Sequence, residues 1–279
     1  MTDFDQLPAL GAGLGFRLPF TEQVLAKADE VDFLEITADH FIDITEGRDR
    51  VFQRLQEKFT LIPHGLNLSL GSAEGLNRNY LDQLKGIVDR VQPPWWSEHI
   101  SFTQSGEVEI GHLSPVPFNK SGLDALCDNI RIAQECIQRP LILENITYTM
   151  QLPWNDIEEG EFLAELLDRS DCGLLLDVTN LYTNSVNHEY DANRFLDQLP
   201  DDRVVQLHYV GGEWNDGKLI DNHSHTTPDE IWELMGEVFR RFPVKGAILE
   251  RDDNFPEFEK LLEEVDRCRS IAKEMGRWN

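Results

Sequence analysis

The sequence predicts an α/β protein, a single (β/α)8 TIM barrel running through residues 1–279. Three observations predict it: short β-rich runs recur eight times, helical patterns separate them, and no linker rich in proline, glycine or serine divides the chain. The runs fall at residues 11–16, 31–36, 60–69, 95–103, 140–146, 172–178, 203–210 and 245–252. Segments such as LILEN and GLLLDV are apolar nearly throughout rather than alternating, as parallel strands covered on both faces are. A doubly wound open sheet is the alternative arrangement of the same elements.

The helices read from apolar spacing, clearest in Leu81, Leu84, Ile87, Val88 and Val91 and again in Phe258, Leu261, Leu262, Val265 and Ile271. Asn77, Ser121 and the pair Thr227–Pro228 carry the chemistry of helix starts. Three strand-to-helix connections, at 104–120, 147–158 and 211–226, are longer than the usual few residues. In a barrel all three lie on the rim where active sites sit.

Composition narrows the function. Fifty-one acidic against 25 basic residues give a formal charge of −26, a field that repels phosphate backbones and anionic membranes, so neither nucleic acid nor membrane is an expected partner. Cys127, Cys136, Cys172 and Cys268 are widely spaced, without the pairing pattern of a zinc knuckle or a disulfide framework, which fits a reducing cytoplasm. The amino-terminal stretch has no signal-peptide pattern, and no apolar run is long enough for a bilayer, so a cytoplasmic location is expected.

Polar residues stand where the strands end. Arg17 follows the first, Glu35 ends the second with Asp39 and His40 beyond it, and His64 lies on the third. Glu98 and His99 lie on the fourth, Glu144 and Asn145 on the fifth, Asp177 and Asn180 at the sixth, His208 on the seventh, and Glu250, Arg251 and Asp252 on the eighth. Any one of these is most simply a satisfied core residue or a helix cap. Together, His64, His99, His208, Glu144, Asp177 and Glu250 at one barrel mouth would cost several kcal/mol per unpaired group without a compensating cation. A metal site accounts for them better. Nitrogen and oxygen donors without thiolate suit iron, manganese, zinc or cobalt. With Asp221, His223 and His225 added, the donors suffice for two or three ions. In an extended D-N-H-S-H stretch Asp221 and His223 project to one side and can reach one ion together. Arg17, Asn145 and Arg251 are assigned to the substrate.

Other motifs are weaker. The glycines of GAGLGF alternate and lack the following features of a dinucleotide site. No G-x-S-x-G elbow supports serine hydrolysis. His112 and His188 read as surface residues, and Trp95 and Trp96 as packing.

The ordered strings PHGLNLSLGS, SEHISF, LILENITY, GLLLDVTNLY, VQLHYVGG, LIDNHSH and ILERDD resemble the multinuclear non-heme iron-dependent oxidative enzymes typified by the methanobactin-biosynthesis oxidase. The resemblance extends from Gly13 to Glu259. It implies a xylose isomerase-like barrel holding two or three irons in mixed Fe(II) and Fe(III) states. It implies O2 as co-substrate and a ribosomally made precursor peptide, modified at cysteine or another residue, with a leader-binding partner protein. By motif position it implies His64, His99, Glu144, Asp177, His208, Asp221, His223 and Glu250 as iron ligands, with Asn180 a further one. Glu144 and Asp177 would be the bridging, catalytic carboxylates. The chain departs from the family pattern at Asp39-His40-Phe41, Asn222 and His225, all expected at the pocket rim. Two other readings remain open: a divalent-metal isomerase or hydrolase on a related barrel, and a metal-loaded peptide-binding protein without catalysis.

Overall fold

The computed structural model describes residues 2–106 and 108–278. Eight parallel strands close into a barrel: β1 (Gly11–Gly15), β2 (Leu34–Thr37), β3 (Leu61–His64), β4 (Trp96–His99), β7 (Leu141–Glu144), β8 (Gly173–Asp177), β9 (Val204–Tyr209) and β12 (Gly246–Leu249). Each pairs with its neighbour in chain order, and β12 closes on β1. Helices follow them: α1 (Thr21–Ala26), α2 (Glu46–Gln56), α3 (Arg78–Val91), α4 (Lys120–Cys136), α5 (Glu159–Arg169), α6 (Val178–His188), α7 (Ala192–Leu196), α8 (Asp229–Arg241) and α9 (Phe258–Glu274). The closed barrel is the predicted one, and the open-sheet alternative falls. No helix among the described residues is long and apolar enough to cross a membrane.

Two of the three long connections are hairpins, β5 (Ser101–Ser105) with β6 (Val108–Pro115), and β10 (Gly211–Asn215) with β11 (Lys218–His225). Asn77 caps α3 by accepting from the Tyr80 N–H. The start of α4 is capped by Asn119 and not by Ser121, which lies inside the first turn, because Asn119 reaches the Gly122 N–H.

A period of two organises the barrel interior. Phe33, Ile62, Ile142, Leu175 and Ile248 belong to one apolar plug together with Trp95. The residue two positions after each of those five is Glu35, His64, Glu144, Asp177 or Glu250. Since successive strand side chains alternate between faces, each strand that fills the barrel with an apolar side chain aims its next inward group at the mouth. Between plug and mouth, Gln206 accepts from Trp95 Nε1 (2.8 Å) and donates to Glu35 Oε2 (2.6 Å). Trp95 and Trp96 are fully buried packing, as expected.

Candidate metal centre

Strand register places donors side by side before any side chain is considered: His99 pairs with Glu144, and Asp177 with His208. Three overlapping groups of donor atoms result, His64–His99–Glu144, Glu144–Asp177–His208–Glu250, and His223–Glu250–Asp252, with the atoms of each group within 4.8 Å of one another. Glu144 and Glu250 each belong to two groups. Asp177 belongs to one, because its Oδ1 caps α6 by accepting from the Asn180 N–H (2.8 Å), leaving only Oδ2 for the mouth.

Each histidine is turned by a neighbour. His64 Nδ1 lies 2.8 Å from Ser97 Oγ, which presents Nε2 to Glu144 Oε2 at 3.3 Å. His99 Nδ1 faces the Gly65 carbonyl (3.1 Å) and Glu98 Oε1 (3.3 Å), both acceptors, so Nδ1 carries the proton and the free Nε2 points at Glu144 Oε2, 3.4 Å away. Glu98 is itself held by the Leu68 and His99 N–H groups. His208 Nε2 lies 2.8 Å from Glu35 Oε1, and its Nδ1 lies 3.0 Å from Glu250 Oε2 and 3.5 Å from Glu144 Oε1. A carboxylate behind a histidine holds the proton on the nitrogen that faces it and leaves the other nitrogen, here Nδ1, free to ligate. Glu35→Gln is therefore expected to weaken metal binding about 10- to 100-fold while leaving the fold intact, read by competitive chelator titration. An unchanged affinity would remove Glu35 from this role.

The third group depends on a distortion. Between the pairs Glu213–Ile220 and Gly211–His225 the ladder shifts register, so residues 221–224 bulge opposite Gly212. His223 sits there with φ +51, a left-handed conformation costly for a side-chain-bearing residue. The bulge is held from the connection after β12 by the Asp252 N–H donating to the His223 carbonyl (3.0 Å). His223 Nε2 meets Asp221 Oδ1 at 2.9 Å and Nδ1 meets Asp252 Oδ2 at 2.8 Å. Asp221 and His223 do come together, through the bulge rather than through the regular strand alternation expected.

Whether these residues suit metal ions is answered by their unused atoms. Glu144 Oε2, Asp177 Oδ2, Asn180 Oδ1, His208 Nδ1 and Asp221 Oδ1 are all buried without a hydrogen-bond partner. Three of the five face other potential ligand atoms, Asp221 Oδ1 with His223 Nε2 at 2.9 Å, His208 Nδ1 with Glu250 Oε2 at 3.0 Å and Glu144 Oε2 with His64 Nε2 at 3.3 Å, the close nitrogen–oxygen sets that a cation satisfies; buried polar atoms without partners are otherwise rare. Electrostatics agree. Burial, with Glu144 and Asp221 nearby, pushes Asp177 up to about 8. Burial also opposes charge on Glu144, but His208 and His99 hold it down at about 2. His99, although buried, is raised to about 9 by Glu144 and Glu98. Protons and metal ions compete for such donors, so binding metal releases protons.

The substrate assignments divide. Arg17 lies at the mouth, its Nε donating to Asp252 Oδ1 (2.6 Å) and its Nη2 to Glu250 Oε1 (3.2 Å). Asn145 and Arg251 are tied into the scaffold instead. Asn145 accepts from the Asp177 N–H (2.9 Å) and donates to the Asp177 carbonyl (3.1 Å), committing both ends of its amide. Buried Arg251 donates to the Asp253 and Asn254 carbonyls. His112 is exposed, but His188 is not the free surface residue expected: its ring stacks on Tyr148 at 4.5 Å and Nε2 lies 2.8 Å from the Tyr148 carbonyl. His225 is exposed, with Nδ1 2.7 Å from Ser224 Oγ, and His40 is also exposed, its ring held below the usual range by desolvation and the charges of Arg17 and Arg48.

Solved structures similar in fold include a xylose isomerase domain protein from Planctomyces limnophilus (TM-score 0.58, 13% identity, 96% of this chain and 99% of that one) and the 3-keto-D-glucoside 4-epimerase YcjR from E. coli (TM-score 0.56, 14% identity, 94% and 98%). At these identities the likeness concerns the barrel alone. Sequence relatives are closer: a UPF0276 protein of Caulobacter vibrioides is 37% identical over 265 residues, covering 94% of each chain, and one of Chromobacterium violaceum is 34% identical over 259 residues, covering 93% of this chain and 94% of that one. Residues 11–273, which carry every strand of the barrel and every donor described above, match the RiPP precursor modification enzymes MbnB/TglH/ChrH, and the chain belongs to that family.

Proposed function

We propose that this chain is a multinuclear non-heme iron enzyme that uses O2 to oxidise a residue, cysteine first among the candidates, of a ribosomally made precursor peptide. The observation that carries the reading is the donor set: three overlapping groups of imidazole and carboxylate ligands, linked through Glu144 and Glu250, without thiolate. Such donors suit iron among the ions expected at a catalytic site. Iron bound there supplies one-electron chemistry with dioxygen and a Lewis acid for a substrate thiolate.

The chain's own work is positional. His64 and His99 converge on one oxygen of Glu144, while His208 faces the other, and Asp177 and Glu250 share a donor group with Glu144 and His208. Sharing Glu144 and Glu250 keeps neighbouring sites close enough to act on one substrate. Arg17 balances the negative rim and stands ready to meet a substrate carboxylate or carbonyl.

Peptide access is supported by the exposed apolar side chains. Leu18, Val108, Met150, Trp154, Trp214, Ile220 and Phe255 are the large exposed hydrophobics among the described residues, and all lie on strand-to-helix connections around the mouth. An apolar rim of this kind marks an interaction surface. We assign it to the precursor peptide and to a separate leader-binding partner, in a reducing cytoplasm where the four cysteines stay free.

The test is direct. Protein purified anaerobically is expected to carry about two to three irons per chain by elemental analysis. Given O2, it should change the mass of a short cysteine-bearing peptide encoded beside its gene, and without O2 it should not. Zinc or manganese near one per chain, or equal turnover without oxygen, would establish the isomerase or hydrolase chemistry instead.

A further inference from the structure

Away from the metal donors, a cavity of about 760 Å³ opens between the segment after β7 and the α5 and α7 helices. Its walls include the rings of Phe118, Tyr148, Tyr190 and Phe195. Six carboxylates line it, Asp156, Glu158, Glu159, Glu161, Glu189 and Asp191, against one cation, Arg194. That cation is already engaged, 2.9 Å from Glu158 Oε1.

Glu159 is the informative residue. It is 8% exposed, and among the described residues no basic side chain forms an ion pair with it. Its Oε2 accepts from Tyr148 OH (3.1 Å) and Tyr190 OH (3.4 Å), while no hydrogen bond reaches its Oε1 among the described residues. A carboxyl withdrawn from water this far is ordinarily paired with a cation. The two tyrosines that hold it also line the cavity, and aromatic rings attract organic cations. The tyrosine side is braced in turn: Tyr148 stacks on His188, and the Asn184 side chain fastens the main chain at Ile146 and Tyr148.

We infer that this cavity binds an organic cation, a guanidinium or primary ammonium group, with Glu159 as its counter-ion and Tyr148 and Tyr190 as its aromatic walls. The charge excess, the aromatic lining and the unpaired buried carboxylate all select that chemistry over an anion or a neutral apolar ligand. Two sources carry the group: a free small amine, or a lysine or arginine side chain of a peptide. The site is separate from the metal donors, so its failure would leave the iron reading untouched.

Isothermal titration of the metal-loaded protein with agmatine, spermidine, acetyl-Gly-Arg-Gly-amide and the citrulline counterpart of that peptide tests the inference. At least one cation should bind and the citrulline peptide should not. Glu159→Gln should weaken binding about tenfold or more, the loss expected when a desolvated charge pair is removed. Glu189→Gln, on the exposed wall, should weaken it about two- to threefold, and it keeps the test open if thermal melts show Glu159→Gln unfolded. Tighter binding of the arginine peptide than of agmatine identifies a peptide source, and the reverse a free amine. Equal binding of the citrulline peptide, no binding by any cation, or a folded Glu159→Gln with parental affinity would each overturn the assignment.

Discussion

Glu144→Ala, purified anaerobically beside the parent chain, is expected to lose most of its metal and to process peptide roughly a thousandfold more slowly, the loss that accompanies several kcal/mol of metal-derived stabilisation. The reason is its shared position. One carboxylate faces His64 at 3.3 Å and His99 at 3.4 Å through Oε2, and His208 at 3.5 Å through Oε1. Removing it strips a ligand from two donor groups at once and leaves three imidazoles facing an empty centre. His64→Ala touches one group only and should retain more metal than Glu144→Ala. Elemental analysis of both variants, with circular dichroism to verify folding, measures this; a Glu144→Ala protein with the full parental complement would show that the carboxylate is not shared between ions.

The second large effect concerns stability and pH. Burial pushes the Glu159 carboxyl from its ordinary 4.5 up to about 7, against the opposing pull of the Tyr148 and Tyr190 hydroxyls. The folded protein therefore binds this proton more tightly than the unfolded chain. The resulting stability is fully present below pH 4.5 and is lost as pH rises through 7, where the folded protein must ionise a buried carboxyl. Glutamine stays neutral throughout and keeps an oxygen for the tyrosines. Relative to Glu159→Gln, the parent should lose up to about 3 kcal/mol of unfolding free energy between those limits. Urea denaturation at a series of pH values reads the difference directly, and the metal sites, common to both proteins, cancel. Parallel stability profiles would show that Glu159 ionises as easily in the fold as in the open chain.

What was legible in the sequence was local or periodic. Eight apolar runs with polar ends predicted the barrel, and parallel strands in a closed sheet must bring such ends to one opening. His64, His99, Glu144, Asp177, His208 and Glu250 were therefore readable as a cluster before any coordinates existed. The spacing of two between plug and mouth residues, as in Phe33 to Glu35 or Ile142 to Glu144, is a signal that would have marked Glu35 as inward-facing too.

What only the tertiary structure decided depends on which distant residues meet. Glu35 comes beside His208 because Gln206, 171 positions away, bridges to it across the barrel. Asp252 joined the third donor group, and the side chains of Asn145 and Arg251 took main-chain partners that no period specifies. His223 reached Asp221 through a bulge with φ +51, whereas alternation in a regular strand would have aimed both residues by rule. The acidic cavity around Glu159 was likewise invisible in the chain, since charge along a sequence does not say which carboxylates will share a wall. Hydrophobic periodicity dictates where strands and helices form and which way they face; the pairing of polar groups is settled only when closure of the barrel brings their strands together, where leaving a buried donor unmatched costs more than any local preference can offset.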